Sequence, residues 1–417
     1  MKKIRPFLIF MLVMSIQACQ PAENKNKEED STPENSIPYA SGTFGYDINF
    51  LKSKDDSLIV LKDESGEGQV VVSAKYQGKV FTSTADGADG RSFGWINYDA
   101  FKGEQDPHMN AYGGENRFWL GPEGGKFSVF FKPETKMVFD NWVTPASVDS
   151  ESWNVLSSSN NKVSLEKETS ITNYLGTPLQ VNIKRDIEIL SKAEIARMLR
   201  ITNNDKVKVV GFKTNNTITN AGDKVWNKES GAPCIWILDM FSPSPGTVIL
   251  VPYNEQAAGK VATTDYFGQI PADRVTYKNG MLYFKADGKS RGKLGLPPER
   301  AKPVAGSYDP TNNVLTVTTF DVENKGTYLN QEWTAEKDPL TGDAVNAYND
   351  GPLEDGSQMG PFYEIESVSP AAFLNPGQTL SHQHNVFHFT GDKAALNAIS
   401  QKVFGISLDS VQNTFTE

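Results

Sequence analysis

The chain has 417 residues, a formal net charge of −10 and four histidines, and that acidic balance speaks against a nucleic-acid partner. Its only two cysteines, Cys19 and Cys234, exclude a disulfide framework once the first is otherwise used. Hydrophobic residues at 38% and aromatic residues at 11% are enough for a real core, and 34 glycines with 23 prolines suit one built from many turns.

Residues 1–18 read as a signal peptide. Lys2, Lys3 and Arg5 form a basic start and residues 7–14 (FLIFMLVM) a short apolar run. That run is too short to span a bilayer, which takes roughly 20 apolar residues. Ile16-Gln17-Ala18-Cys19 resembles the lipobox of bacterial lipoproteins, which implies acylation of the Cys19 thiol and a mature N-terminus at that residue. The plainer alternative is an ordinary secretory signal with an incidental cysteine. Residues 19–40 are polar and acidic, the composition of a flexible tether. By analogy, Gln20 rather than Asp after the cysteine fits sorting to the outer membrane. The expected membrane contact is through the lipid alone.

From residue 41 to 417 the pattern is one β domain without a fixed-period repeat. Segments 68–84, 125–133, 179–190, 207–214, 246–253, 279–288 and 312–322 are rich in β-branched and aromatic residues and bounded by Gly, Pro, Asn or Asp. Two short helices interrupt them. One runs over 191–200 behind a capping box of Ser191 and Glu194; the other spans 392–404 and stops at Gly405. Cys234, in the apolar run APCIWILDMF, reads as an inert core thiol.

Three tracts carry chemistry. In 106–131, Glu115, Arg117 and Trp119 share a face if the segment is a strand, with His108 in the loop before it. Arg is a rigid fork for carboxylates or vicinal hydroxyls and Trp a flat face for a sugar ring; the alternative is a buried Glu115–Arg117 pair beside a core Trp. In 287–293, Lys289, Arg291 and Lys293 sit on a Gly-rich turn, with Arg274 and Arg300 near in sequence. They could attract an acidic sugar or simply be solvated. In 360–389, two strands are joined by a Pro- and Gly-containing connection. Glu364 and Glu366 share one face of the first, and His382, His384 and His388 one face of the second. Neighbouring carboxylates raise at least one pKa and are commoner at working sites than in cores. A Glu base with a His acid is one reading. A divalent metal on His382, His384, Glu364 and Glu366 is a second, and no other cofactor is implied. A solvated strand face is the third.

Two of these tracts together resemble the galactose mutarotase-like superfamily. The resemblance rests on 113–123 (GGENRFWLGPE), on Tyr363-Glu364-Ile365-Glu366-Ser367 and on the turn 374–380 (LNPGQTL). Further tracts, 92–97 (SFGWIN) and 345–352 (VNAYNDGP), look like an uncharacterised lipoprotein branch of it. It spans residues 45–390 and implies an all-β fold, a large antiparallel β-supersandwich with a few short helices, that handles carbohydrate. It also implies that Glu364 or Glu366 is the base for the anomeric hydroxyl and that Arg117 positions the sugar. The mid-chain His acid of mutarotases has no counterpart, since the nearest stretch is Thr214-Asn215-Asn216-Thr217. The acid would then be His108 or His384. Three classes stay open on this reading: an epimerase, lyase or hydrolase acting on a mono- or oligosaccharide, a sugar-binding lipoprotein without turnover, and a structural envelope lipoprotein.

Overall fold

Side-chain alternation sorts the long strands into an inner and an outer face. In Pro178–Ile189 the buried series is Leu179, Val181, Ile183, Arg185, Ile187 and Ile189, while Gln180 and Lys184 face solvent. One charged residue, Arg185, therefore belongs to an otherwise apolar face.

The computed structural model describes residues 38–415. The expected signal peptide, Cys19 and tether residues 19–37 lie outside the described residues. Every pair of neighbouring strands is antiparallel. A ten-stranded sheet has at its centre Val304–Asp309, Val314–Phe320, Thr379–Gly391, Val207–Asn220 and Pro178–Ile189, in that spatial order. A five-stranded sheet runs Gly292–Leu296, Val345–Asn349, Tyr363–Val368, Cys234–Phe241, Arg117–Gly121. A three-stranded sheet, Ile59–Lys62, Gln69–Ser73 and Lys79–Thr84, packs Val71 and Phe81 against Phe44 and Leu51 of the helix Phe44–Lys52. The large and middle sheets face each other across a shared interior. The class is all-β, as expected.

Three helices cover the outer face of the large sheet. Lys192–Leu199 begins at Ser191 with the expected capping box, and Lys393–Phe404 ends at Gly405 in the left-handed conformation (φ +74°). With Leu408–Gln412 they bury Ile195, Leu396, Phe404 and Leu408 against Leu315, Val317, Phe387 and Phe389. Phe387 and Phe389 thus face the helices, whereas His384 and His388, one residue out of phase, face the interior.

Two expectations change. Segment 125–133 is not a strand. Phe127, Phe130 and Phe131 are buried as a strand's would be, but the chain turns beneath residues 330–332. A Cβ at Gly124 would run into the Glu332 carbonyl, so close backbone approach replaces a ladder there. The Glu and His strands also do not pair with each other. Tyr363–Val368 lies between Val345–Asn349 and Cys234–Phe241, and Thr379–Gly391 between Val314–Phe320 and Val207–Asn220. The connection 369–378 is long enough to cross from one sheet to the other.

Candidate functional site

The five-stranded sheet has one face on the interior and one under loops, and the two faces carry different chemistry. Cross-strand register sets Lys293, Tyr348, Glu364 and Met240 in one row, and Asn346, Glu366, Leu238 and Arg117 in the next. These rows floor a cavity that is open to solvent.

Its walls are aromatic. Trp119 and Trp236 meet edge to face on the sheet, with centroids 5.4 Å apart. Phe139, Trp142 and Trp333 form a near-parallel series from loops, at 6.0 and 6.1 Å spacing. Tyr348, Phe362 and Phe267 close the other side. Phe139 is the outermost, 59% exposed.

Two ion pairs cross the floor. Arg117 donates to Glu364, and its guanidinium lies over Trp119 at 5.1 Å. Lys293 donates to Glu366 at 3.1 Å while resting 4.4 Å above Trp236, whose indole N–H also donates to Glu366 at 2.8 Å. Glu364 lines the cavity, whereas Glu366 is fully buried behind it. Burial first and the Glu366 charge second push the Glu364 carboxyl up to about 8, against the pull of Arg117. A third carboxyl, Glu123, also lines the cavity. Burial holds it above the ordinary carboxylate range, opposed by Lys293. Glu123 carried no strand or pair signal of its own in the sequence, so reasoning from spacing passed over it. The same holds for Trp142, Trp236 and Trp333, which reach the cavity from separate segments.

Of the expected site residues, Arg117, Trp119, Glu364, Arg291 and Lys293 line this cavity, with Glu366 directly beneath. Glu115 does not. The chain bends between Gly114 and Arg117, and the Glu115 carboxylate turns inward to Ser83 at 2.7 Å and His388 at 3.1 Å. It forms no pair with Arg117. His108 is half-buried at the edge, its Nδ1 2.6 Å from the Trp142 carbonyl and its ring stacked on Phe139. Of the basic residues near the turn, Arg274 pairs with Asp287 and Arg300 donates to the carbonyls of Asn254 and Gly259, while Lys289 on the turn is exposed.

His382, His384 and His388 lie between the sheets, on the far side of the floor from the cavity. His384 bonds Asp239 through Nε2 at 2.6 Å and Ser367 through Nδ1 at 2.8 Å, and Ser367 also meets His382 Nε2 at 2.8 Å. The Ser367 hydroxyl thus bridges the two imidazoles, Nδ1 of His384 and Nε2 of His382. Burial first and His384 second push the His382 imidazole down to about 3, so it stays neutral. Asn116 donates to Asp239 at 2.6 Å, and Arg185 donates to Asn116 and Asn216. This Ser-His-Asp arrangement is fully buried and has no room for a substrate. His382 and His384 reach from the large sheet to the inner face of the five-stranded sheet, whose outer face carries Glu364 and Glu366, so the imidazoles and the carboxylates lie on opposite sides of that layer. Among the described residues no group of three or more His, Cys, Asp or Glu side chains gathers with metal-binding geometry.

No curated protein matches the chain. Solved structures to which it is similar include a galactose mutarotase-like protein from Lactobacillus casei, 12% identical with a TM-score of 0.46, over 80% of this chain and 100% of that one. A candidate aldose 1-epimerase from Escherichia coli is 11% identical with a TM-score of 0.45, over 80% and 98%. A galactose mutarotase related enzyme from Lactobacillus acidophilus is 8% identical with a TM-score of 0.43, over 80% and 97%. Likenesses this distant leave reaction and substrate to be argued from the site. A family model matches residues 42–415, nearly the whole described chain, and the protein belongs to that family, a family of unknown function (DUF6786).

Proposed function

We propose that the cavity on the five-stranded sheet binds a carbohydrate and that Glu364 exchanges a proton with it. One observation carries the reading: an open cavity walled by Trp119, Trp142, Trp236 and Trp333 and floored by charged hydrogen-bonding pairs. Aromatic faces suit the apolar faces of sugar rings and charged groups suit their hydroxyls. Glu364 is the base because it reaches the cavity surface, whereas Glu366 is held behind it by Lys293 and Trp236. Glu123, whose carboxyl burial raises above the ordinary range, is the acid in place of an imidazole. The simplest balanced reaction is anomer interconversion. Glu364 takes the anomeric hydroxyl proton, the ring C–O bond breaks as a carbonyl forms, and Glu123 protonates the released ring oxygen; the carbonyl then turns about the C1–C2 bond, and the ring oxygen closes on its other face with both proton transfers reversed.

The lipobox resemblance supports a second part of the proposal, that the chain is tethered to the outer membrane through acylated Cys19. A sugar-binding lipoprotein without turnover is favoured over an enzyme by one feature, the engagement of Glu364 by Arg117. A glycan panel read by calorimetry and by one-dimensional proton NMR decides. Binding with anomer exchange or bond cleavage supports the enzyme, binding alone supports the receptor, and no binding to any sugar refutes both.

A further inference from the structure

Arg291 stands at the mouth of the cavity, at the end of the basic turn, and its surroundings fix it without neutralising it. The guanidinium lies over Phe267, 4.2 Å from the ring centroid, and its Nε donates to the Tyr348 hydroxyl at 3.3 Å. Tyr348 in turn donates to Asp350 at 2.9 Å. A ring beneath and a bond along one edge set the plane of the fork. Among the described residues neither Nη has a hydrogen-bond partner, and no carboxylate forms an ion pair with the group. The other cavity cations, Arg117 and Lys293, are both paired. An oriented guanidinium with two free donors matches a planar oxyanion.

We propose that the sugar taken by this cavity is anionic, its carboxylate or sulfate group held by Arg291 at the mouth while its ring lies against the tryptophans. The inference rests on the carbohydrate reading and narrows it to acidic saccharides.

The test is calorimetric titration of the full chain with three probes of equal length: a neutral galacto-oligosaccharide, an oligogalacturonide and a sulfated galacto-oligosaccharide. Wild type, Arg291→Gln and Arg291→Lys are compared. At least one acidic probe should bind about tenfold or more tighter than the neutral one, the size of one charge-assisted contact. The preference should weaken with added salt. Arg291→Gln should erase it, with the neutral probe titrated alongside to separate loss of charge recognition from loss of binding as a whole, and Arg291→Lys should restore part of it. Which acidic probe gains identifies the anion. Equal binding of neutral and acidic probes by wild type, or a preference that survives Arg291→Gln, overturns the proposal and leaves the carbohydrate reading intact. Failure of all three probes to bind overturns both.

Discussion

Removing Lys293 while keeping its partner is the sharpest perturbation of the cavity floor. Lys293→Met preserves most of the stem that rests on Trp236 but leaves the Glu366 carboxylate, 0% exposed, with only the indole N–H. Breaking a buried pair from one side typically costs about 3–5 kcal/mol, because the surviving charge is uncompensated. Residues 38–415, at about 2.1 cal/mol/K per residue, give an unfolding entropy of about 0.8 kcal/mol/K. A loss of about 4 kcal/mol should therefore lower Tm by about 5 °C. Protonating the orphaned carboxyl removes the buried charge, so the deficit should shrink as pH is lowered from 8 to 5. Lys293→Met with Glu366→Gln leaves neither charge and should recover most of the loss. Thermal melts followed by near-UV circular dichroism at both pH values, on wild type, single and double variants, measure all of this. A single variant within about 1 kcal/mol of wild type, with no pH dependence, would refute the view that the floor is held by a dry ion pair.

Glu364→Gln should lose about 10²–10⁴-fold in turnover while keeping most of its affinity, read by NMR and calorimetry. Because the base must be deprotonated, wild-type turnover should climb as pH rises through about 8. The folded form holds this proton more tightly than the unfolded chain, so its stabilising contribution is full below 4.5 and fades as pH rises towards 8; Glu364→Gln should flatten that slope. His384→Ala strands the Asp239 carboxylate and should lower Tm with sugar affinity unchanged, since the imidazole faces away from the cavity; lost affinity in a still-folded variant would contradict that separation. Cys19→Ala should abolish labelling by a radioactive fatty acid and membrane fractionation, and label that persists would dismiss the lipobox reading.

Much of the strand content was readable because alternation and turn residues are local signals. Ser191 with Glu194, and Gly405, marked real helix ends for the same reason. The site was readable only in part. Glu364, Arg117 and Lys293 were found, yet which strand lies beside which is set by contacts distant in sequence. The nearness of Glu366 to His382 along the chain therefore suggested a meeting that the crossing connection 369–378 prevents. Segment 125–133 has strand composition, but the loop 330–332 over Gly124 decides its path. Phe44–Lys52 went unnoticed because its helix is short and weakly patterned, and Leu408–Gln412 because it is a single turn and a half.

The strand Tyr363–Val368 is fastened from behind. Tyr363 bonds Ser307 and Ser367 bonds His382 and His384, all on the side away from the cavity. A slip of one residue would turn Glu364 and Glu366 into that interior and strip those partners at once. The floor's alignment is thus independent of whatever the cavity holds. A designer could replace Trp119, Arg291 or Glu123 to refit the cavity for another ligand without re-specifying the sheet, because the parts that aim the floor and the parts that choose its guest are on opposite sides of one layer.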